Sequence, residues 1–252
     1  MNEANANVTV PAAVQQNLQQ LFAELQGALG NQLIALELYG PYAKGEVQEG
    51  SGGKHVVHVV IVVNDINLNV LDRLAPPVRK AITGFNLSPM VLTPNDLHRS
   101  TDVFPIKFLD IKRHHILVGG QDVISQMPIQ RQHIRLRCEQ ELKNVMLRLR
   151  SFYIQGSDNP EAIKQTLVGT VRTFFDSVAT LVELKSGKKP VKKGAVAKVA
   201  AETMGFDGNA MQNLIRLQRG DINPSLPELK QLYSQMMMVV DTAARVADEM
   251  ED

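Results

Sequence analysis

A glycine-bounded segment, Gly40-Pro41-Tyr42-Ala43-Lys44-Gly45, precedes a valine-rich run that carries two histidines, His55-Val56-Val57-His58-Val59-Val60-Ile61-Val62-Val63. Gly40 and Gly45 permit sharp turns on either side of Lys44, and Lys44 brings a cation that attracts an anion. Loops that hold phosphate do so with backbone N–H groups and a hydroxyl pointing into a concave turn or helix start. Pro41 has neither. Groups for a metal are missing as well. Magnesium demands hard oxygen ligands; Val56 offers none, and the imidazole of His58 suits zinc, copper or nickel. His55 and His58, three apart on a strand, face opposite sides and so do not share an ion. With Cys138 as the only cysteine and no His/Glu pair at helical metal spacing, no zinc site is expected. No Ser/His/Asp arrangement can be argued from spacing either.

The third chemistry-bearing stretch is Phe104-Pro105-Ile106-Lys107-Phe108-Leu109-Asp110-Ile111, which reads as a strand. Side chains alternate along a strand, so Lys107 and Asp110 are expected on opposite sides, and if this strand runs beside the glycine turn only one of them lines it. With Lys107 on that side, Lys44, Lys107 and a protonated His58 gather positive charge there, which favours an anion over a cation.

Together these segments resemble the nucleotidyltransferase superfamily of the polymerase β type with its catalytic letters changed. In that family a strand runs into Gly-Ser-x-Ala-Arg-Gly, and the next strand begins Ser-Asp-x-Asp before an apolar run. The glycine and serine hold nucleotide phosphates. The two aspartates, with a third carboxylate on a later strand, hold divalent metals. The resemblance puts Pro41 at the serine position, Ala43 and Lys44 at the Ala-Arg pair, Val56 and His58 at the aspartates, and Lys107 at the third carboxylate. Asp102 to Asp110 and Leu136 to Arg150 are similar to bacterial nucleotidyltransferase-domain proteins, and a sheet followed by helices is the layout of aminoglycoside nucleotidyltransferase relatives. The likeness covers roughly residues 10 to 155. It implies a nucleotide cleft stripped of its metal ligands, since metals held by carboxylates normally neutralise the triphosphate and activate the attacking oxygen.

Composition sets outer bounds. The 252 residues suffice for two structural units. A content of 44% hydrophobic and 21% charged residues is that of an ordinary soluble protein, and a net charge of +1 argues against a globally basic nucleic-acid binder. The lysines between Lys185 and Lys198 have no interleaved aromatics for base stacking and read as a solvated loop. No uninterrupted apolar segment reaches the roughly 18 residues of a membrane span, and the start of the chain lacks a basic segment leading into an apolar run. A single cysteine forms no intrachain disulfide, so the expected location is cytoplasmic.

The elements that must position these residues follow from periodicity. Val14, Leu18, Leu21, Phe22, Leu25 and Leu29 mark a helix from Pro11 to about Gly30. Leu33–Tyr39 and His55–Val63 read as strands, joined through the flexible Gly50-Ser51-Gly52-Gly53. A helix over Asn67 to Gly84 is expected to kink or split at Pro76-Pro77. Short strands near Met90–Leu92 and Ile116–Val118 flank a Thr93-Pro94 helix start and His114-His115, which falls at a turn or strand start. From about Gln130 onward only helical spacing remains. One stripe is Ile134, Cys138, Leu142, Val145, Leu149 and Phe152; Asn159-Pro160 opens a second helix. Gly205 and Gly220 close two shorter helices, and Ser225 with Glu228 forms a capping box before the last. Arginines and lysines on the first of these helices read as solvated surface, with Glu139 and Lys143 paired at i,i+4.

The expected fold is therefore an α/β (α+β) nucleotidyltransferase-like mixed sheet with flanking helices over residues 1–125, followed by an all-α bundle over 126–252. The expected function is nucleotide or anion binding, or scaffolding, at a degenerate cleft of Gly40, Pro41, Lys44, Gly45, Val56, His58 and Lys107. No catalytic or metal-binding residue is assigned and no cofactor is expected. Magnesium enters only if the displaced carboxylates Glu46, Glu49, Asp65 or Asp110 sustain transfer. A further alternative is partner binding through the helices. A nucleotide or other anion and a protein partner are the expected ligands; oligomerisation stays open, and membrane and nucleic acid are not expected.

Overall fold

The computed structural model of the chain describes residues 8–47, 55–187, 190 and 192–250. The chain divides into two compact units, Met1–Gln130 and Arg131–Asp252. No helix among the described residues is long and apolar enough to cross a membrane.

The first unit is built on a four-stranded mixed sheet. Its strands are β1 (Leu33–Tyr39), β2 (Val57–Val63), β3 (Leu87–Leu92) and β4 (His115–Gly120), in the order β3-β2-β1-β4. β1 pairs antiparallel with β2 and with β4, while β2 and β3 run parallel. Parallel pairing requires a crossover, which helix α2 (Leu68–Phe85) supplies. α2 and α1 (Ala12–Leu29) cover one face, where Leu18, Leu21, Leu25 and Leu74 meet Leu36, Leu38, Val57, Val59, Ile61 and Val63. Helices α3 (Pro94–Ser100) and α4 (Pro105–Arg113) and the segment 121–130 contribute to the other, where Leu97, Phe108, Ile111, Ile124 and Met127 meet Ala35, Val60 and Val62. With both faces covered, β2 is apolar nearly throughout, as the valine run requires.

Two expected elements differ. α2 runs on through Pro76 and Pro77 instead of splitting there. The carbonyls of Asp72 and Arg73, which those prolines leave without a donor, belong to exposed residues, so water can satisfy them. The stretch expected as a strand over Phe104–Ile111 is helix α4. Its apparent alternation of Phe104, Ile106 and Phe108 is coincidental, because Phe104 is exposed and the buried set is Pro105, Phe108 and Ile111, spaced by three. Pro105 stands in the first turn, where its missing N–H costs nothing. At α3 the expected Thr93 cap is a full capping box with Asp96. The Gly50–Gly53 connection and Lys188, Lys189 and Val191 lie outside the described residues.

The second unit is helical: α5 (Arg131–Gly156), α6 (Pro160–Ser186), α7 (Lys193–Met204), α8 (Gly208–Arg219) and α9 (Leu226–Glu249). Asn159 caps α6, Asp207 caps α8, and Ser225 and Glu228 form the capping box of α9. The stripe Ile134, Cys138, Leu142, Val145 and Leu149 is buried on α5, and Tyr233 of α9 donates its hydroxyl to the Leu149 carbonyl at 2.7 Å. Phe152, expected to continue that stripe, is exposed. Glu139 pairs with Lys143 and Arg137 with Glu141 along α5, but not all of these side chains are solvated: Arg135 and Glu139 are mostly buried, and Arg135 donates to the Ala247 carbonyl at 2.9 Å.

Candidate functional site

β1 delivers the chain into the glycine turn. Gly40 and Gly45 adopt φ of 78° and 70°, a region in which a side chain would be strained. Tyr42, Ala43 and Val47 are buried and anchor the turn. The turn closes on itself: Lys44 N–H donates to the Gly40 carbonyl (3.0 Å), Gly45 N–H to Tyr42 (3.2 Å) and Glu46 N–H to Pro41 (2.9 Å). A phosphate-gripping loop aims such amides at its ligand. Here three are spent internally, and Pro41 contributes none.

His58 lies opposite Tyr39 in the β1–β2 pairing, with ring centroids 5.4 Å apart. It packs so closely on the turn that a Cβ at position 40 would stand 3.1 Å from its Cδ2. Burial, then the positive charge of Lys107, holds His58 below the usual imidazole range, so it is neutral at pH 7. Protonated His58 is therefore not part of the cleft's positive charge.

The helical state of α4 also corrects the placement of Lys107 and Asp110. Residues three apart share a helix face: Lys44 Nζ pairs with Asp110 Oδ2 at 2.8 Å, and Lys107 is near enough for its charge to lower the His58 pKa. The structure thus brings together Gly40, Pro41, Lys44, Gly45, His58 and Lys107, with Asp110 neutralising one of the two ammonium groups. Val56 stands just ahead of β2, 38% exposed, and contributes no polar side-chain atom. Among the described residues, no metal-capable group of three includes Glu46, Asp65 or Asp110, and Glu49 lies outside them.

A second polar cluster, not anticipated from the sequence, lies beneath β1 and β4. It comprises Glu37, His115 and Asp122, whose ligand atoms all lie within 4.8 Å of one another. Glu37 is the one charged residue of β1 and is 0% exposed; His115, at the start of β4, is 3% exposed. The pairing register shifts between Leu36 and Glu37 against β4, an irregularity of the kind that re-aims a side chain. Beyond β4 the chain turns at Gly120, where φ is 90° and a Cβ would lie 2.0 Å from the Ile34 carbonyl oxygen. That close approach lets Gln121 N–H donate to the same carbonyl at 2.9 Å and leads the chain to Asp122.

His115 Nδ1 lies 3.1 Å from the carbonyl oxygens of Ile111 and Lys112 at the end of α4. Its Nε2 stands 3.5 Å from Glu37 Oε2, 3.4 Å from Asp122 Oδ1 and 3.3 Å from Ser125 Oγ. Ser125 donates its amide to Asp122 Oδ1 (2.9 Å) and its hydroxyl to Oδ2 (2.6 Å). Burial would raise the Asp122 pKa, but these Ser125 bonds and His115 outweigh it and hold the group below the usual carboxylate range. Glu37 goes the other way. Burial, reinforced by the charge of Asp122, pushes it up to about 8. The amides of Val123 and Ile124 pull against that shift without completing a hydrogen bond, and neither Glu37 oxygen has a hydrogen-bond partner. A lone acid within Leu-Ile-Ala-Leu-Glu-Leu-Tyr was the available sequence signal for this cluster.

No protein-family model matches the sequence, and no curated protein does. Among solved structures, the chain is similar to a spectinomycin adenyltransferase from Enterococcus faecialis determined with ATP and spectinomycin, at 11% identity and a TM-score of 0.47, over 95% of this chain and 100% of that one. At that identity and score no residue role transfers from it.

Proposed function

We propose that this chain is a nucleotidyltransferase-fold protein that has lost metal-dependent transfer and uses the remodelled cleft to bind a nucleotide or another anion, as a binding or scaffolding protein. The observation that carries the proposal is the self-closed turn after β1, with Lys44 tied to Asp110 and neutral His58 packed on Gly40. The strand–turn–strand frame of the family signature supports the assignment of the fold. Val56 and His58 at its two aspartate positions offer no carboxylate to magnesium, the segment expected to supply the third is helix α4 and no strand, and the nearby Asp110 is engaged by Lys44. Two ammonium groups remain to meet an anion, and an incoming phosphate competes with Asp110 for Lys44. Cys138, buried and the single cysteine of the sequence, fits the cytoplasmic location proposed with it.

Calorimetric titration with ATP and the other nucleoside triphosphates, with and without magnesium or manganese, tests the proposal. Binding of equal strength in both conditions, weakened in Lys107→Glu, is the expected result. Binding that requires the metal overturns it and returns transferase chemistry to consideration. A second reading is favoured by one observation: Leu147 and Ile154, seven apart on one face of α5, are 61% and 84% exposed. Absence of any nucleotide binding would leave that helical surface, as a partner-binding site, the better-supported function.

A further inference from the structure

The buried cluster beneath β1 and β4 carries an inference that does not depend on the cleft. We propose that Glu37, His115 and Asp122 bind one divalent transition-metal ion, zinc foremost, through Nε2 of His115 and one oxygen from each carboxylate.

The imidazole is set up for ligation. Nδ1 faces two carbonyl oxygens at 3.1 Å; a carbonyl only accepts, so Nδ1 carries the ring proton and the lone pair of the neutral ring is on Nε2. Metal-ligating histidines are oriented in this way, by a backbone carbonyl on the far nitrogen. The lone pair is directed at Glu37 and Asp122, which in their ionised forms also only accept. A cation placed among them satisfies all three at once.

Glu37 supplies the second, independent observation. It is 0% exposed and neither of its oxygens has a hydrogen-bond partner. Buried carboxylates are paired, hydrogen-bonded or coordinated to a metal. One imidazole and two carboxylates also balance a dication, leaving the site neutral.

The spacing fits a four-coordinate ion. Donors held at about 2.1 Å from a tetrahedral centre stand about 3.4 Å apart. Nε2 is 3.5 Å from Glu37 Oε2 and 3.4 Å from Asp122 Oδ1. Ser125 holds Asp122 through both oxygens, at 2.9 and 2.6 Å, as an outer partner that fixes a ligand's orientation. The Asp122 side chain is 36% exposed, which gives an ion and a water ligand a way in. The nitrogen donor and low ligand number favour zinc over magnesium or calcium.

The test uses the full chain without a histidine tag, stripped with a chelator. Zinc is titrated by calorimetry, and cobalt(II) by visible absorption, whose bands intensify in a four-coordinate site. One ion per chain is expected, with affinity reduced about tenfold or more in Glu37→Gln and in Asp122→Asn and with the intense cobalt bands lost in both. Circular dichroism of the metal-free variants verifies folding; if Glu37→Gln fails to fold, Asp122→Asn decides. Failure of the wild type to take up a stoichiometric ion overturns the proposal. So does uptake by the variants with wild-type affinity, which would place the ion on other histidines.

Discussion

Replacing Glu37 by Gln in the metal-free protein should abolish a pH dependence that the wild type must show. Burial raises the Glu37 carboxyl from an ordinary value of 4.5 to about 8. Between those values the folded state holds a proton that the unfolded state has released, so stability falls as pH rises. The fall begins near pH 4.5 and ends near pH 8. Its slope approaches about 1.4 kcal/mol per pH unit, and the whole window is worth about 5 kcal/mol as an order of magnitude. Glutamine has the same shape and does not titrate, so the variant lacks this slope whatever its fixed cost. The assay is hydrogen exchange of the β1 and β2 amides in chelator, variant against wild type at each pH, which cancels the intrinsic pH dependence of exchange. Protection of the variant relative to wild type should grow by up to about tenfold per pH unit from pH 5 to 8. A ratio constant across that range would refute the argument, because it would mean that Glu37 is solvated or ionised in the folded state.

Asp110→Ala should free Lys44 for anions and raise affinity for a triphosphate several-fold by calorimetry. It should cost less than about 1 kcal/mol of stability, since the Lys44–Asp110 pair is partly exposed. Gly120→Ala should destabilise the first unit by more than about 3 kcal/mol, because a left-handed φ of 90° and a Cβ at 2.0 Å from the Ile34 carbonyl oxygen cannot both be relieved. Faster exchange of the sheet amides, or loss of soluble protein, is the readout. Tyr233→Phe should cost about 1 kcal/mol by removing the 2.7 Å hydrogen bond to Leu149. Faster exchange in α5 and α9 with the sheet amides unchanged would confirm that the loss stays in the helical unit.

Elements whose burial follows one clear period were legible in the sequence. β1 occupies the expected Leu33–Tyr39; the caps at Thr93 and Asn159 sit where their side chains satisfy first-turn amides, and Ser225 donates its amide to the Glu228 carboxylate of its capping box. The turn residues Gly40, Pro41, Lys44 and Gly45 were legible as well, since glycine and proline constrain the backbone directly. Their internal hydrogen bonding was not, because it depends on how Tyr42, Ala43 and Val47 are buried. The Glu37 cluster escaped for a different reason. Its members lie on three segments, and only the pairing of Tyr39 with His115 and the turn at Gly120 bring them together. Spacing along a chain carries no information about neighbours across a sheet.

The misreading of a single element, α4, misplaced Lys107 and Asp110 and hid the backbone carbonyls that face His115. As a strand, Phe104–Ile111 would send Lys107 and Asp110 to opposite faces; as a helix it puts both on one face, where one acts on His58 and the other occupies Lys44. The helix also ends in carbonyls, those of Ile111 and Lys112, that hold His115 Nδ1. Carbonyls at a helix C-terminus carry partial negative charge and suit an N–H donor, and a strand would have paired them elsewhere. α4 thus sets the charge of the cleft with its side chains and the tautomer of His115 with its backbone. Substitutions confined to Lys107 and Asp110 should change anion binding while leaving the His115 tautomer intact. A helix-breaking proline at Leu109 should disturb both, and the His115 ring nitrogens, observed by NMR, would separate the two cases.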